Sequence, residues 1–179
     1  MTRQVLLFGV LAAHVALGNP QTAWAQSGVA VLRATSDQTP VEGEVRFTET
    51  AEGLRVEAQI RHAPPGRHGF HIHEFGRCED AAKAAGNHYN PEGAKHGDLL
   101  AEGLQEAHAG DLGNIEIDAT GAGRLAKLLP GLRLSEGRFA VAGRAVVLHA
   151  DPDDFSQPSG NAGARIGCGP IVMTSTAAE

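Results

Sequence analysis

Short runs of alternating polarity recur along most of this chain. In the run VEGEVRFTE (41–49), Val41, Val45 and Phe47 fall on one face of an extended strand, and the run LRVEAQIRH (54–62) repeats the pattern. Side chains in a strand point alternately to opposite faces, so a period of two predicts strands with one buried face. Glycine, proline and polar residues typical of turns bound these runs. The chain is therefore predicted to be all-β.

Two long segments interrupt the alternation, and both are rich in glycine and polar residues. The first covers residues 76–110 and the second covers residues 151–163. Loops of such length in a compact domain are usually functional or disordered. About eight strands joined by turns and two long loops predict an eight-stranded antiparallel Greek-key barrel or sandwich. Within it, the run RFAVAGRAVVLHA (138–150) is predicted to supply a strand that ends at His149, and AAKAA (81–85) is predicted to form a short helical turn.

The first 25 residues are predicted to be a signal peptide. Arg3 precedes an apolar run over residues 5–17, and the segment ends in Ala23-Trp24-Ala25, a small-x-small cleavage pattern. The apolar run is short for a membrane-spanning helix, although an uncleaved anchor is the alternative. Cleavage after Ala25 would leave residues 26–179 as a single domain, periplasmic or extracellular, without a membrane span.

Charge and cysteine content narrow the function classes. The chain has 15 Lys and Arg against 21 Asp and Glu, a formal net charge of −6, and no basic tract. This composition argues against nucleic-acid binding. The two cysteines, Cys78 and Cys168, both follow the predicted signal peptide, and an even pair in an exported protein predicts one disulfide. A redox-active or metal-binding pair is the alternative, but CxxC spacing is absent.

The histidines are the strongest indication of a site. Beyond residue 25, every histidine except His62 lies in or beside the long loops. A scattered, purely structural role therefore fits only His62 well. His71 and His73, two positions apart on a strand, point to one side and could share a metal ion. Imidazole suits copper and zinc, and three histidines with one carboxylate suit tetrahedral zinc. The chain thus offers a possible zinc set, His88, His96, His108 and Asp111. It also offers a possible copper set, His71, His73 and His149. The two sets would share one bridging imidazole.

Five sequence blocks resemble the successive signatures of one known family, copper–zinc superoxide dismutase. They are GFHIHEFG, GNHYNPEGAKHG, HAGDLGNI, RAVVLHADPDD and SGNAGARIGCG, in the family's order and within residues 29–171. The resemblance implies an enzyme that converts two superoxide anions and two protons into oxygen and hydrogen peroxide, with one copper and one zinc per subunit. It implies copper ligands His71, His73, His88 and His149, and zinc ligands His88, His96, His108 and Asp111.

The same resemblance implies further roles. Arg165 would attract and orient superoxide, His88 would take up a proton during turnover, and Asp153 would link a copper histidine to a zinc histidine. Cys78 and Cys168 would form a disulfide. His68 would be a packing histidine next to Gly69, and Ser159 would lie at the rim of the anion channel. The resemblance leaves a homodimer open.

Three departures from the animal cytosolic members point to exported bacterial members. The second loop is shorter and has no clear counterparts of the charged steering residues, the interval from His96 to His108 is longer, and the interval from His73 to Cys78 is shorter. Two alternatives are a non-catalytic copper-binding or chaperone module and a copper-only dismutase. The complete copper set with Arg165 argues against the first, and the complete zinc set argues against the second.

Overall fold

The computed structural model describes residues 26–174, so the predicted signal peptide lies outside the described residues. The predicted all-β architecture is confirmed: apart from one 3-10 turn, Lys83–Ala85, and one four-residue helix, α1, the regular elements are eight strands. Their bounds are β1 Ser27–Ala34, β2 Glu42–Thr50, β3 Gly53–Arg61, β4 Gly66–His73, β5 Asp111–Ile117, β6 Gly123–Leu129, β7 Ala145–His149 and β8 Arg165–Thr174, with α1 at Leu99–Glu102.

The strands close into a barrel in the order β1-β2-β3-β6-β5-β4-β7-β8, with every neighbouring pair antiparallel. Closure decides between the barrel and the sandwich. Sequence neighbours β3 and β4 are not paired; β3 pairs with β6 and β4 with β7, which is the crossover of a Greek key. The first long loop therefore connects β4 to β5, which pairs with β4 in the barrel, and the second connects β7 to β8.

Strand β4 is buried on both faces, unlike the half-exposed β3. Phe70 and Ile72 belong to the barrel core, so the alternation of the strand directs His71 and His73 to the outer face. That face is also buried, with His71 and His73 both at 0% exposure. The long loops that cover β4 thus create a second interior outside the barrel, lined by polar side chains.

Two elements differ from the sequence prediction. Residues 138–144 do not continue β7, because Gly143 has a φ of 79° and the Arg144 N–H donates to the Val141 carbonyl, closing a turn before the strand begins. Helix α1 was not predicted, since four residues carry too little periodicity to indicate a helix. It lies in the first long loop, between His96 and His108.

Candidate metal centre

The first histidine cluster is built on the outer face of β4 and the end of β7. One ring nitrogen from each of four buried histidines, His71, His73, His88 and His149, lies within 4.8 Å of the others. The rings of His71 and His88 are 4.0 Å apart between centroids, and Nε2 of His73 is 3.3 Å from Nε2 of His149. Four converging imidazoles without a carboxylate are a donor set that suits copper.

His88 comes from the first loop, and the backbone fixes its position. It forms an antiparallel bridge with His73, and the next residue, Tyr89, donates its N–H to the Ile72 carbonyl at 2.8 Å. The Tyr89 hydroxyl donates to the Arg138 carbonyl, and the Arg144 guanidinium lies 3.4 Å over the Tyr89 ring. These contacts hold the loop strand against the end of β4 with His88 directed inward.

The second cluster converges on the carboxylate of Asp111, at the start of β5. His88, His96 and His108 each place a nitrogen near it, and all four residues meet the spacing of a metal site. Nδ1 of His88 is 2.8 Å and Nδ1 of His108 is 3.2 Å from Oδ1, while Nδ1 of His96 is 2.9 Å from Oδ2. Three imidazoles and one carboxylate are the donor set of a tetrahedral zinc site.

His88 belongs to both clusters. Its Nδ1 faces Asp111, which leaves Nε2 as the other ring nitrogen for the copper-type cluster. The structure therefore brings every predicted ligand into one of two adjoining groups that share a single imidazole.

Asp153 connects the two clusters by accepting a hydrogen bond from one histidine of each. His71 donates its Nε2–H to Oδ2 at 2.8 Å, and His96 donates its Nε2–H to Oδ1 at 2.9 Å. Sequence reasoning missed the clamp that fixes this aspartate: Asn114 accepts the Asp153 N–H through Oδ1 at 2.7 Å and donates Nδ2–H to the Asp153 carbonyl at 2.9 Å. The only signal in the sequence was that Asn114 follows Asp111 within the HAGDLGNI block.

The donor set passes a direct test of its fit to metal ions. Among buried side-chain nitrogens and oxygens of residues 26–174, Nδ1 of His71 and Nδ1 of His96 make no hydrogen bond. Nδ1 of His96 is close to Asp111, but the angle is wrong for a hydrogen bond. Because Asp153 accepts the Nε2–H of each ring, Nδ1 is the nitrogen that each ring directs into its cluster. In the neutral ring of His71 it carries a lone pair, and in His96 it is the position where a metal ion would replace a proton. A bound cation would satisfy both otherwise orphaned atoms.

Burial keeps three of the four copper-type histidines neutral. It lowers the pKa of His71 to about 4, of His149 to about 3 and of His73 to about 2, and the other histidines add repulsion. Only the neutral form offers a lone pair to a metal, so these imidazoles are ready to bind throughout the neutral range.

In the second cluster, the carboxylates outweigh burial in setting the pKa values. Burial alone would lower the pKa of His96, but its contacts with Asp111 and Asp153 outweigh burial and raise it to about 9. Burial would raise the pKa of both aspartates, but the histidine hydrogen bonds hold each well below its usual range. Without a metal, the second cluster therefore binds a proton, which zinc would displace.

The metal-free protein is expected to lose stability as the pH falls below 6.5. His71, His73 and His149 are neutral in the folded chain but take up protons when unfolded, where their pKa is near 6.5. Each contributes a loss of up to about 2 kcal/mol between pH 6.5 and 5. Urea unfolding of metal-free protein at pH 7.5, 6.5 and 5 measures the effect. Equal unfolding midpoints at all three values would show that these histidines are not buried as described.

A cavity of about 550 Å³ opens onto the copper-type cluster. Its wall includes His73, His88 and His149, the half-buried Arg165 and, from the second loop, Ser159 and Asn161. Arg165 lies opposite His149 in the β7–β8 ladder and donates to the carbonyls of Ala82 at 2.6 Å and Gly86 at 2.7 Å. The first loop thus holds a permanent positive charge beside the histidines.

The predicted disulfide is present. Cys78 and Cys168 are 5.8 Å apart between Cα atoms and 90 residues apart in sequence. The bond ties the first loop to β8. Next to it, Ala82 and Ala85 of the first loop pack with Val147 of β7 in a small apolar cluster. It therefore anchors the segment whose carbonyls hold Arg165.

The fold and the two clusters define a Greek-key β-barrel protein with a candidate two-metal histidine centre. The family model for copper/zinc superoxide dismutase (SODC) matches residues 41–171. The chain belongs to the copper/zinc superoxide dismutase family.

Curated relatives and a solved structure agree with this membership. The chain is 37% identical to superoxide dismutase [Cu-Zn] of Onchocerca volvulus over 159 residues, 82% of this chain and 96% of that protein. It is 41% identical to superoxide dismutase [Cu-Zn] 3 of Arabidopsis thaliana over 145 residues, 76% of this chain and 86% of the relative. It is also 41% identical to superoxide dismutase [Cu-Zn] 2 of Aquifex aeolicus over 151 residues, with 78% and 86% covered. The crystal structure of the clock protein EA4 superposes with a TM-score of 0.72 at 34% identity, covering 84% of this chain and 96% of that one.

No helix among the described residues is long and apolar enough to cross a membrane.

Proposed function

We propose that this protein is a superoxide dismutase that converts two superoxide anions and two protons into oxygen and hydrogen peroxide. The observation that carries the proposal is the shared imidazole of His88, which has a copper-type histidine cluster on one side and a zinc-type cluster on the other. A binding module needs one such cluster, whereas two clusters joined through a ring that also lines an open cavity suit turnover of a small molecule.

The residues sort into two ligand sets of this chain. Copper would be held by His71, His73, His88 and His149, and zinc by His88, His96, His108 and Asp111, with one ion of each per chain. When bound, copper supplies one-electron chemistry between its two oxidation states, and zinc supplies a fixed positive charge without redox chemistry.

Arg165 would bind and orient the superoxide anion. Its guanidinium is aligned by the carbonyls of Ala82 and Gly86, and it lies on the cavity wall with the copper-type histidines. The rim residues of the second loop that line the cavity, Pro158, Ser159 and Asn161, carry no charge. The cavity wall also includes the acidic residue Glu74. Attraction at short range therefore depends on Arg165, against this carboxylate and a protein with a net charge of −6.

His88 would move a proton. Its Nδ1 faces Asp111 in the zinc set, while its ring lines the cavity, so Nε2, when it does not bind copper, can hold a proton next to the reacting oxygen species. The contacts on the Nδ1 side fix the orientation of the ring while Nε2 gains and loses this proton.

Replacing Arg165 by alanine is expected to lower the superoxide decay rate about 10-fold, because the anion loses its nearest positive charge. Arg165→Lys restores the charge without the paired donors and is expected to recover part of the loss. Stopped-flow decay at low and high salt checks both effects, and the dependence on salt should weaken in the alanine variant. Equal rates for all three proteins would exclude Arg165 from substrate binding.

The overall proposal is tested on metal-loaded protein with a chelator present in the assay. Superoxide loss that scales with protein concentration and disappears when His149→Ala removes one copper ligand would support it. Tight copper binding without accelerated decay would favour the copper-binding module instead.

We also propose that the protein is exported to an oxidising compartment, as in exported bacterial members of the family, after cleavage of residues 1–25. The disulfide between Cys78 and Cys168 supports this location, because such bonds persist in the periplasm and outside the cell.

A homodimer stays a prediction. Val31 and Val172 are 49% and 52% exposed on the adjacent strands β1 and β8, and Phe75 is 55% exposed at the start of the first loop. A subunit interface would cover apolar side chains of this kind.

A further inference from the structure

The segment between His96 and His108 contains a capped turn that no ligand role explains. Asp98 accepts the N–H groups of Leu100 and Ala101 through Oδ1 at 3.0 and 3.3 Å, and Glu102 Oε1 accepts the Asp98 N–H at 2.9 Å. This reciprocal pair resembles a capping box around α1, with the glutamate four rather than three residues after the N-cap. Leu99 is 5% exposed and packs in the barrel core. A helix of four residues is not stable alone, so the cap and this anchor define its position.

Gly97 connects this turn to the second metal cluster. Its N–H donates to Oδ2 of Asp111 at 3.0 Å, and the N–H of His108 donates to the same oxygen at 3.2 Å. Oδ1 instead faces Nδ1 of His88 and Nδ1 of His108. The two carboxylate oxygens therefore have different surroundings. Oδ2 accepts from two backbone N–H groups and also lies 2.9 Å from Nδ1 of His96 without a hydrogen bond to it, whereas Oδ1 lies between two ring nitrogens.

Glu102 lies directly over Gly97. A Cβ atom on Gly97 would be 2.7 Å from each carboxylate oxygen of Glu102, closer than real Cβ atoms approach their neighbours. Glu102 also fixes the Asp98 N–H, the amide next to the one that holds Asp111. A continuous line of contacts thus joins an exposed glutamate to the buried aspartate.

We infer that the capped turn 97–102 positions Asp111 as a single-oxygen ligand of zinc, with Glu102 and Asp98 as positioning residues. The inference rests on the proposed function, in which Asp111 binds zinc. Because the two amide donors occupy Oδ2, Oδ1 is the oxygen available to bind zinc, which favours four-coordinate geometry. Loss of the cap would let Gly97 move, free the carboxylate to rotate and bring Oδ2 toward the metal. Copper binding would change less than zinc binding, because the turn reaches the copper-type cluster indirectly, through Asp111 and the shared His88.

The test compares Glu102→Ala with Glu102→Gln and with Glu106→Ala in the metal-loaded protein. Glutamine keeps an acceptor oxygen for the Asp98 N–H, and Glu106 is an exposed acid in the same loop that controls for charge. Zinc affinity is measured by competition with a coloured chelator, and coordination by the visible absorption of Co²⁺ bound in place of zinc. Glu102→Ala is expected to weaken zinc binding about 10-fold, the lower end for residues that support ligands. Its cobalt bands should weaken as coordination rises above four, its copper affinity should change less than its zinc affinity, and both other variants should stay near wild type.

The outcomes separate this inference from the proposed function. If wild-type protein binds no zinc at this cluster, the proposed zinc site fails. If wild type binds zinc and Glu102→Ala matches it in affinity and cobalt spectrum, the inference is overturned, even when Glu102→Ala lowers the melting temperature. Should Glu102→Ala fail to fold, Asp98→Ala opens the same cap from the other side and is held to the same criteria.

Discussion

Replacing His88 by alanine is expected to abolish zinc and copper binding together, because this ring takes part in both clusters. Superoxide decay should fall by at least about 100-fold, since loss of a direct ligand exceeds the effect of losing a supporting contact. Metal content after dialysis and superoxide decay, measured on the same preparation, check the result.

Matched variants show whether the effect comes from the shared position. His149→Ala removes a ligand of the copper-type cluster alone and should leave zinc bound, and His108→Ala should do the reverse. Retention of either metal at wild-type affinity by His88→Ala would contradict a bridging imidazole.

Removing the disulfide is expected to give the largest loss of stability. With Cys78 and Cys168 both replaced by serine, the unfolded chain is no longer constrained by a closed loop of 90 residues. The chain-entropy model gives a loss of about 4–5 kcal/mol for a loop of this size. Urea unfolding of the metal-free variant and wild type, at one pH and without reductant, measures the difference.

The same variant also tests the link to Arg165. The disulfide anchors the loop whose carbonyls at Ala82 and Gly86 hold the guanidinium, so superoxide decay should slow even in fully metal-loaded variant. Reduction of the wild-type disulfide is the matched control and should reproduce both effects. A stability difference below about 1 kcal/mol would contradict the entropic contribution of the bond.

Local patterns were sufficient to predict most of the strands and the set of candidate ligands. The alternation in β2 and β3 reflects a barrel with one face inside, and it predicts Val45, Phe47 and Ile60 as core residues directly. His71 and His73 share a face because strand geometry requires it.

The supporting contacts could not be predicted, because they arise between segments distant in sequence. Asn114 clamps the backbone of Asp153 across 39 residues, and the carbonyl of Gly86 accepts from Arg165 across 79. Backbone carbonyls in particular leave no trace in side-chain patterns. Helix α1 depends on the burial of Leu99 in the barrel core, which is also a tertiary contact.

The most direct test of the dismutase proposal is pulse radiolysis of copper- and zinc-loaded protein with superoxide in large excess over copper. Superoxide decay should remain fast through repeated pulses, scale with protein concentration and collapse in His149→Ala. A single burst that consumes about one superoxide per copper, followed by decay at the rate of buffer, would contradict catalysis and leave the chain as a copper-binding protein of the same fold.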